Sequence, residues 1–357
     1  MRSELNNAKR IVVKLGTAVL TDDRKHPDPA QIGQLVAQIA QLRQAGKDVV
    51  VVTSGAVGAG MGVLGYGKRP ASVAEQQACA AVGQSRLMAT YEKLFAEFKL
   101  HVAQVLLTHA DLQHQERHHN ARSTLQMLLQ RGVIPIINEN DAVSTTELKF
   151  GDNDKLSALV AALLPAELLI ILTSVDGVME HFGKANARRL STIEEIDSRV
   201  EALAEGTSSA TAVGGMKSKI QAARIVVRSG IPLVIAPGRS RQVLDSILRG
   251  DDVGTLFLPK PARLRGRKRW IAFFHHPCGS VFVDAGARRA LMENGKSLLP
   301  PGVTRCEGDF GAGTIVSICG DDGLEFARGI TAFSSQDIRA RKNSRGEIVH
   351  RDDLVIL

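Results

Sequence analysis

The 357-residue sequence contains few cysteines, and their spacing excludes two classes of protein. Cys79, Cys278, Cys306 and Cys319 are its only four cysteines, and no two of them form a C-x-x-C pair. This scatter argues against a structural zinc site and against a disulfide-stabilised scaffold. It is typical of a protein that works in a reducing cytosol.

The sequence also contains no hydrophobic run of the roughly 18 residues that a membrane-spanning helix needs. The longest apolar stretch, from Leu156 to Leu172, is interrupted by Pro165 and Glu167. The first ten residues, MRSELNNAKR, lack the apolar core of a secretory signal. We therefore expect a cytoplasmic protein with no contact with the membrane.

Acidic residues are fewer than basic ones, with 37 Asp and Glu against 45 Lys and Arg, which gives a net charge of +8. Such an excess suits either nucleic-acid binding or an enzyme whose ligands are anions. Much of the excess lies in the last third of the chain, in two groups of basic residues. These are Lys260, Arg263, Arg265, Arg267, Lys268 and Arg269, and then Arg339, Arg341, Lys342 and Arg345. These two groups could form a solvated linker and tail, or they could form a surface that binds phosphates. Both interpretations remain open.

Short apolar runs alternate with helical patterns from Ile11 to Leu258, and the runs are continuous rather than alternating. Continuous runs indicate strands buried on both faces of a parallel sheet. Strands are predicted at 11–15, 49–54, 101–108, 133–138, 168–174 and 232–238. Helices are predicted at 31–45, 85–97, 120–131, 155–164 and 215–229. The fold class is therefore α/β, a three-layer αβα sandwich with a mainly parallel sheet.

The pattern changes after Pro259, where short strands alternate with turn residues. Strands are predicted at 270–274, 280–284 and 313–319, with one helix around 285–293. We interpret this part as a small, mostly β C-terminal domain.

Candidate binding residues follow the predicted strands, where ligands bind in parallel sheets. Lys14 lies inside an apolar strand, where a charge is costly unless it faces a ligand, a carboxylate or solvent at the strand end. Ser54, Asp141 and Asn153 come after other strands, and glycine-rich segments at 55–65 and 214–215 could bring backbone N–H groups close to a phosphate. Each of these residues could instead be a cap or turn residue. No metal site is predicted, because His114 and His118 have no third ligand nearby.

Several motifs in order along the chain resemble those of the glutamate 5-kinases, a group within the amino acid kinase family. They are VVKLGTAVL (12–20), VVTSGAVGAG (51–60), AAVGQSRLM (80–88), INENDAVS (137–144), ELKFGDNDKLSALVA (147–161) and GGMKSKIQAA (214–223). In the last third, RKRWI (267–271), GKSLLPPGV (295–303), GDFGAGTIVSI (308–318) and HRDDLVIL (350–357) resemble a PUA domain. The resemblance implies an amino acid kinase catalytic domain at 1–260, a basic linker at 261–269 and a PUA domain at 270–357.

The resemblance implies ATP-dependent phosphorylation of the side-chain carboxylate of L-glutamate to L-glutamyl 5-phosphate, the first step of proline biosynthesis. ATP and Mg²⁺ are the expected nucleotide and ion. By the same resemblance Lys14, Asp152 and Lys219 are catalytic, with Asp152 orienting the lysines, and Ser54, Asp141 and Asn153 bind glutamate. The implied ATP-binding residues are Lys14, Gly16, Thr173, Ser174, Gly214, Gly215, Met216, Lys217, Ser218 and Lys219.

The sequence departs from the family pattern only in the segments that the resemblance assigns to ATP binding. Ser174 replaces a usual aspartate, and both 178–184 and 212–219 differ from the usual motifs. Two alternatives therefore stay open: another amino acid kinase, for aspartate, acetylglutamate or uridylate, or an RNA-binding protein with a decayed kinase domain. Expected partners are a homo-oligomeric copy of the chain, glutamyl-5-phosphate reductase as recipient of the labile product, and RNA at the PUA domain.

Overall fold

The computed structural model describes residues 1–22, 27–144, 153–205, 215–259, 266–274, 277–340 and 346–357. The chain divides into two units, Met1–Arg263 and Leu264–Leu357. No helix in these described ranges is long and apolar enough to cross a membrane.

The strands of the first unit form a largely parallel sheet, as predicted. They are β1 (Arg10–Leu15), β2 (Asp48–Val52), β3 (Val102–Leu107), β4 (Ile134–Glu139), β5 (Leu168–Thr173), β6 (Met179–Glu180), β7 (Arg188–Arg189), β8 (Thr192–Ile193), β9 (Leu233–Pro237) and β10 (Thr255–Phe257). The sheet order is β3-β4-β2-β1-β5-β9-β10-β8, and β6 pairs with β7 separately. Only the β9–β10 pairing of the large sheet is antiparallel among the described residues.

Helices cover the sheet of the first unit. They are α1 (Thr17–Leu20), α2 (Pro29–Gln44), α3 (Ala56–Val63), α4 (Val73–Ala96), α5 (His109–Gln113), α6 (Gln115–Gln130), α7 (Asp154–Leu163), α8 (Ser198–Glu205), α9 (Met216–Arg228) and α10 (Val243–Arg249), after a 3-10 helix at Arg2–Asn7. α2 and α4 pack against one face of β1, and α7 also contacts β1. Residues on both faces of β1, such as Val12 and Val13, are fully buried. The three-layer α/β fold is therefore confirmed.

The glycine-rich stretch after β2 forms a helix, α3, rather than a loop, and it packs closely on α4. A Cβ atom at Gly83 of α4 would lie 1.8 Å from the Ala56 carbonyl oxygen, and one at Gly60 would lie 1.8 Å from that of Cys79. Only glycine permits this approach, because a real Cβ cannot come so near a backbone atom. The contact brings the middle of α4 against the first turn of α3, beside the carboxyl ends of the strands.

The second unit is a mostly β domain, as expected. Its elements are α11 (Gly266–Phe273), β11 (Ser280–Val283), α12 (Ala285–Asn294), β12 (Val303–Glu307), β13 (Ile315–Cys319), β14 (Glu325–Ile330), α13 (Ser335–Arg339) and β15 (Leu354–Ile356), with 3-10 helices at Pro300–Gly302 and Arg351–Asp353. The sheet order is β12-β11-β13-β14-β15. Its main core includes Val281, Val316 and Phe326.

The strand predicted at 270–274 is wrong, because α11 occupies this run up to Phe273. Residues 266–269, predicted as part of a linker, form the start of the same helix. A short apolar run fits a buried helix as well as a buried strand, so periodicity could not separate them. Here Ile271 packs against Ile315 and Val355, and the helix covers the sheet instead of joining it.

Candidate active site

Two lysines from distant parts of the chain meet on one buried aspartate, and we call Lys14, Lys219 and Asp154 the lysine–aspartate cluster. Lys14 lies near the carboxyl end of β1, Asp154 is the first residue of α7 and Lys219 is the fourth of α9. Lys14 Nζ is 2.7 Å from Asp154 Oδ1, and Lys219 Nζ is 3.0 Å from Oδ2. The Ser218 hydroxyl also donates to Oδ2 at 2.9 Å.

Burial makes the lysine–aspartate cluster strongly interdependent. The exposed fractions of Lys14, Lys219 and Asp154 are 4%, 7% and 0%. Buried charges are tolerated when each is paired and hydrogen-bonded, and a carboxylate at a helix N-terminus is further favoured by the helix dipole. Lys14 is therefore not a lysine that reaches solvent at the strand end. The cluster holds two cationic groups in fixed positions at the carboxyl edge of the sheet.

A second group beside the same edge consists of three neutral amides, Gln84, Asn138 and Asn153, which we call the amide relay. Asn153 Nδ2 donates to Asn138 Oδ1 at 2.7 Å and to the Thr53 carbonyl oxygen at 2.6 Å, and it lies 3.3 Å from Ser54 Oγ. Asn138 Nδ2 donates in turn to Gln84 Oε1 at 2.9 Å. The relay thus links β4, α4 and the N-terminus of α7, and it holds two predicted site residues, Ser54 and Asn153, together.

A cavity of about 240 Å³ opens beside the relay, between α3, α4, β3 and the turn after β4. Its lining includes Ala56, Ala80, Ala81, Gln84, Ser85, Gln104, Leu106, Glu139, Asn140, Asp141 and Ala142. Two of these residues, Glu139 and Asp141, are carboxylic acids, and none is basic. The cavity therefore favours a ligand group that is cationic or that accepts the protons of amides and hydroxyls.

Both acids have perturbed ionisation. Burial raises the pKa of Asp141 to about 6, although the Arg69 guanidinium acts in the opposite direction. The pKa of Glu139 is raised to about 7, mainly by burial and also by the nearby carboxylates of Asp141 and Asp111, whereas hydrogen bonds from the Ser144 hydroxyl and the His109 backbone act in the opposite direction. Both groups therefore change charge near neutral pH.

The predicted ATP-binding residues lie around the lysine–aspartate cluster. Gly16 lies two residues after Lys14, and a Cβ there would lie 3.1 Å from the Leu172 carbonyl oxygen, so a larger residue would be crowded. Gly215 caps α9, ahead of Met216, Lys217 and Ser218, while Thr173 ends β5 and Ser174 follows it. Lys217 is exposed, in contrast to Lys219. Gly214 and Asp152 lie outside the described residues.

Four polar residues of the site had no role assigned to them from the sequence: Gln84, Asn138, Glu139 and Asp154. The resemblance assigned the orienting role to Asp152, which lies outside the described residues; within them, the carboxylate of Asp154 contacts both lysines. A signal for Asp154 was present, because Asn153 is a favourable helix cap and the residue after a cap lies in the first turn. Gln84 carried no comparable signal, since a buried glutamine in a helix has no distinctive spacing.

The basic segment before the second sheet contains two exposed basic residues and one buried one in the part that the structure describes. Within the described residues, Arg269 is buried and Arg267 pairs with Asp353 at 2.5 Å. Lys268 is exposed. Lys260, Arg263, Arg265, Arg341, Lys342 and Arg345 lie outside the described residues.

Comparison with known proteins links both units to characterised families. The model of the amino acid kinase family matches residues 9–237, and that of the PUA domain matches 279–351. The chain is 46% identical over 373 aligned residues to a glutamate 5-kinase of Geobacter sp. (strain M21), covering 100% of both chains. It is 45% identical over 371 residues to the glutamate 5-kinase of Moorella thermoacetica, covering 100% of this chain and 98% of the relative.

The comparison of structures supports the fold. A carbamate kinase from Giardia lamblia bound to AMP-PNP superposes with a TM-score of 0.52 at 18% identity, covering 71% of this chain and 100% of the other. At this level of identity the likeness concerns the fold alone.

Proposed function

Because the chain belongs to the amino acid kinase family and, over its full length, to the glutamate 5-kinases, we propose that it transfers the γ-phosphoryl group of ATP to the side-chain carboxylate of L-glutamate. The product is L-glutamyl 5-phosphate, the first intermediate of proline biosynthesis. The observation that carries the proposal is the meeting of Lys14 and Lys219 on Asp154, beside a cavity lined by acids and amides.

Phosphoryl transfer requires positioning and charge neutralisation more than covalent help from the protein. The attacking carboxylate is already ionised at neutral pH, so no general base is needed, and none of the proposed residues is a histidine. The obstacle is the repulsion between two anions, which fixed cations relieve as charge develops on the transferring group. Lys14 and Lys219 supply those cations, and Asp154 holds both ammonium groups so that they need not reorganise during the reaction.

The acceptor side supports an amino acid as the second substrate. The Ser54 hydroxyl, 3.3 Å from Asn153 Nδ2, can donate to a carboxylate of the acceptor, and Asn153 Oδ1 can accept from its ammonium group. Asp141, in the cavity wall, suits the α-ammonium group of the acceptor. Together, the hydrogen-bonding groups of Ser54 and Asn153 and the negative charge of Asp141 would select an amino acid of defined length.

The nucleotide is assigned to the segment around Gly16, Thr173, Ser174 and the start of α9. Backbone N–H groups at a helix N-terminus favour phosphates, and Gly215, the N-cap of α9, has no side chain to compete for them. Gly214, Lys217 and Ser218 remain assigned to this side by sequence. Mg²⁺ is proposed to enter with ATP, as part of the substrate.

The proposed reaction is tested by incubating the purified full-length protein with ATP, Mg²⁺, hydroxylamine and one acceptor at a time. Hydroxylamine traps an acyl phosphate as a stable hydroxamate. We expect hydroxamate with L-glutamate and far less with L-aspartate or N-acetylglutamate, and no phosphorylation of UMP. Hydroxamate from another acceptor only, or none from L-glutamate, would refute the proposal.

Three further assignments rest on the family alone: a cytoplasmic homo-oligomer, delivery of the product to glutamyl-5-phosphate reductase, and RNA binding at the PUA domain. Light scattering on the purified chain tests the homo-oligomeric state. Trapping of the product in the presence of the reductase tests its delivery to that enzyme. For the third, an affinity for RNA that weakens steeply with salt would support phosphate contacts. An affinity for RNA that does not change with salt would oppose them.

A further inference from the structure

The hydrogen bonds of the amide relay fix which way each amide points. The Glu139 backbone N–H can only donate, and it lies 3.0 Å from one atom of the Asn138 amide, which must therefore be the oxygen Oδ1. The other atom of that amide is then a nitrogen, and it donates to an oxygen of Gln84 at 2.9 Å. By elimination, the remaining atom of the Gln84 amide is the donor Nε2.

The other end of the relay is fixed in the same way. One atom of the Asn153 amide lies 2.6 Å from the Thr53 carbonyl oxygen and 2.7 Å from Asn138 Oδ1, and both of these atoms only accept. That atom must be nitrogen, so the remaining atom of Asn153 is the acceptor Oδ1. The relay thus ends in a donor on Gln84 and an acceptor on Asn153.

Both ends are buried and lack a hydrogen-bond partner among the described residues. Gln84 as a whole is only 8% exposed, and it lines the cavity. A buried donor without a partner is costly, because it has lost its hydrogen bonds to water, unless a ligand supplies a partner. The cost is imposed by the fold itself, because the close approach of Gly83 to Ala56 holds the next residue, Gln84, against the cavity.

We propose that Gln84 is a specificity-determining residue of the acceptor site, whose Nε2 group donates a hydrogen bond to a carboxylate oxygen of the amino-acid acceptor. A carboxylate is the ligand group that fits, since it accepts without donating and its charge strengthens the bond. The neighbouring acids Glu139 and Asp141 would repel a carboxylate, so a fixed amide donor offers it a neutral place in an otherwise acidic cavity. This inference rests on the proposed function and deepens it by assigning a residue that selects the acceptor.

The test compares three variants of the full chain, with wild-type activity on L-glutamate established first. Gln84→Met removes the donor at similar volume, and Gln84→Glu replaces it with an acceptor that is ionised at high pH. Gln77→Glu, two turns earlier on the same helix and outside the cavity lining, is the matched control. The measurements are the KM for L-glutamate, the KM for ATP and kcat by hydroxamate formation at pH 6.0 and 8.5, together with thermal unfolding of each variant.

For Gln84→Met we expect a rise of about tenfold or more in the KM for L-glutamate, with the KM for ATP and kcat changed by less than about threefold. Gln84→Glu should raise the KM more at pH 8.5 than at pH 6.0, relative to the wild-type enzyme at each pH. The reason is that a protonated carboxyl can donate again, and a merely structural role would not produce this acid rescue. Gln77→Glu should behave as wild type.

An unchanged KM for L-glutamate in Gln84→Met would overturn the proposal for Gln84. So would equal losses for both substrates, or a loss in Gln84→Glu that does not depend on pH. If Gln84→Glu does not fold, Gln84→Met alone decides. An inactive wild-type protein would instead refute the proposed function, so the two failures are distinguishable.

Discussion

The lysine–aspartate cluster and the amide relay lie at the same edge of the sheet but differ in how their polar groups are paired. In the cluster, each ammonium group has a carboxylate partner within the protein, because both lysines contact Asp154. In the relay, a donor and an acceptor are left over at the two ends. The cluster is therefore complete before substrate arrives, whereas the relay is completed by it. We infer that the cluster serves the chemical step and that the relay serves recognition.

The largest expected effect is a loss of stability when the lysine–aspartate cluster is disrupted. Asp154→Asn removes the counter-charge of two buried lysines, and we expect the free energy of unfolding to fall by about 3–5 kcal/mol. Activity should fall with it, by about 10²-fold or more in kcat, because the ammonium groups lose their common anchor. Denaturant titration and the hydroxamate assay measure the two effects.

Asp245→Asn is the matched control for this variant. It breaks an exposed pair with Arg249, 2.5 Å long, and should cost less than about 1 kcal/mol. Equal losses of stability in the two variants would contradict the central place of Asp154 in the cluster.

The next effect concerns the chemical step alone. Lys14→Ala and Lys219→Ala should each lower kcat by about 10²-fold or more, by analogy with the loss of one donor to a developing anion. The KM for L-glutamate should change much less, because the relay and the acids of the cavity are intact. Lys93→Ala, an exposed lysine on α4, controls for the loss of one positive charge. A near-normal kcat in either cluster variant would show that its ammonium group does not meet the transferring phosphoryl group.

Removing Asp141 should give the reverse pattern. Asp141→Ala takes away the proposed partner of the α-ammonium group, so we expect the KM for L-glutamate to rise about tenfold with little change in kcat. Glu92→Ala removes an exposed acid of α4 for comparison. Steady-state kinetics at several glutamate concentrations measures both constants. If the KM is unaffected, the ammonium group binds elsewhere.

The sequence was informative about the cluster and much less so about the relay, for physical reasons. A lysine inside a hydrophobic strand stands out, so Lys14 was predicted, and the GGMKSK motif indicated Lys219. The contact of Asp154 with both lysines could not be predicted, because it depends on where α7 begins relative to β1 and α9. A buried glutamine such as Gln84 differs from a solvated one only in its tertiary surroundings.

The same contrast holds for the fold. The parallel strands were predictable because burial on both faces leaves continuous runs of Val, Ile and Leu. The first half of α4 was missed because its residues 73–84 are mostly small or polar and show no helical period of large apolar side chains. Its packing instead depends on Gly83, which contributes by having no side chain. The pattern of hydrophobic residues along the sequence contains no signal for a contact that depends on the absence of a side chain.

The smallest expected effect is a pH dependence that is confined to the acceptor side. Burial raises the pKa of Asp141 to about 6 and that of Glu139 to about 7, so both are ionised at pH 8 and become protonated as the pH falls. Because an ammonium group binds the ionised form, kcat/KM for L-glutamate should fall severalfold from pH 8 to pH 6, while kcat at saturating L-glutamate changes less.

The free energy of unfolding should change with pH in the direction opposite to kcat/KM. A carboxyl whose pKa is raised by folding binds more protons in the folded than in the unfolded state at pH values between the ordinary and the raised pKa. The contribution of Glu139 and Asp141 to the free energy of unfolding therefore decreases as the pH rises from about 4 to about 7. The variant Glu139→Gln, which cannot ionise, should lose this part of the dependence and should gain stability relative to wild type as the pH rises. Parallel profiles of wild type and variant, in both kcat/KM and unfolding, would show that Glu139 does not titrate in this range, and the acidic character of the cavity would then rest on Asp141 alone.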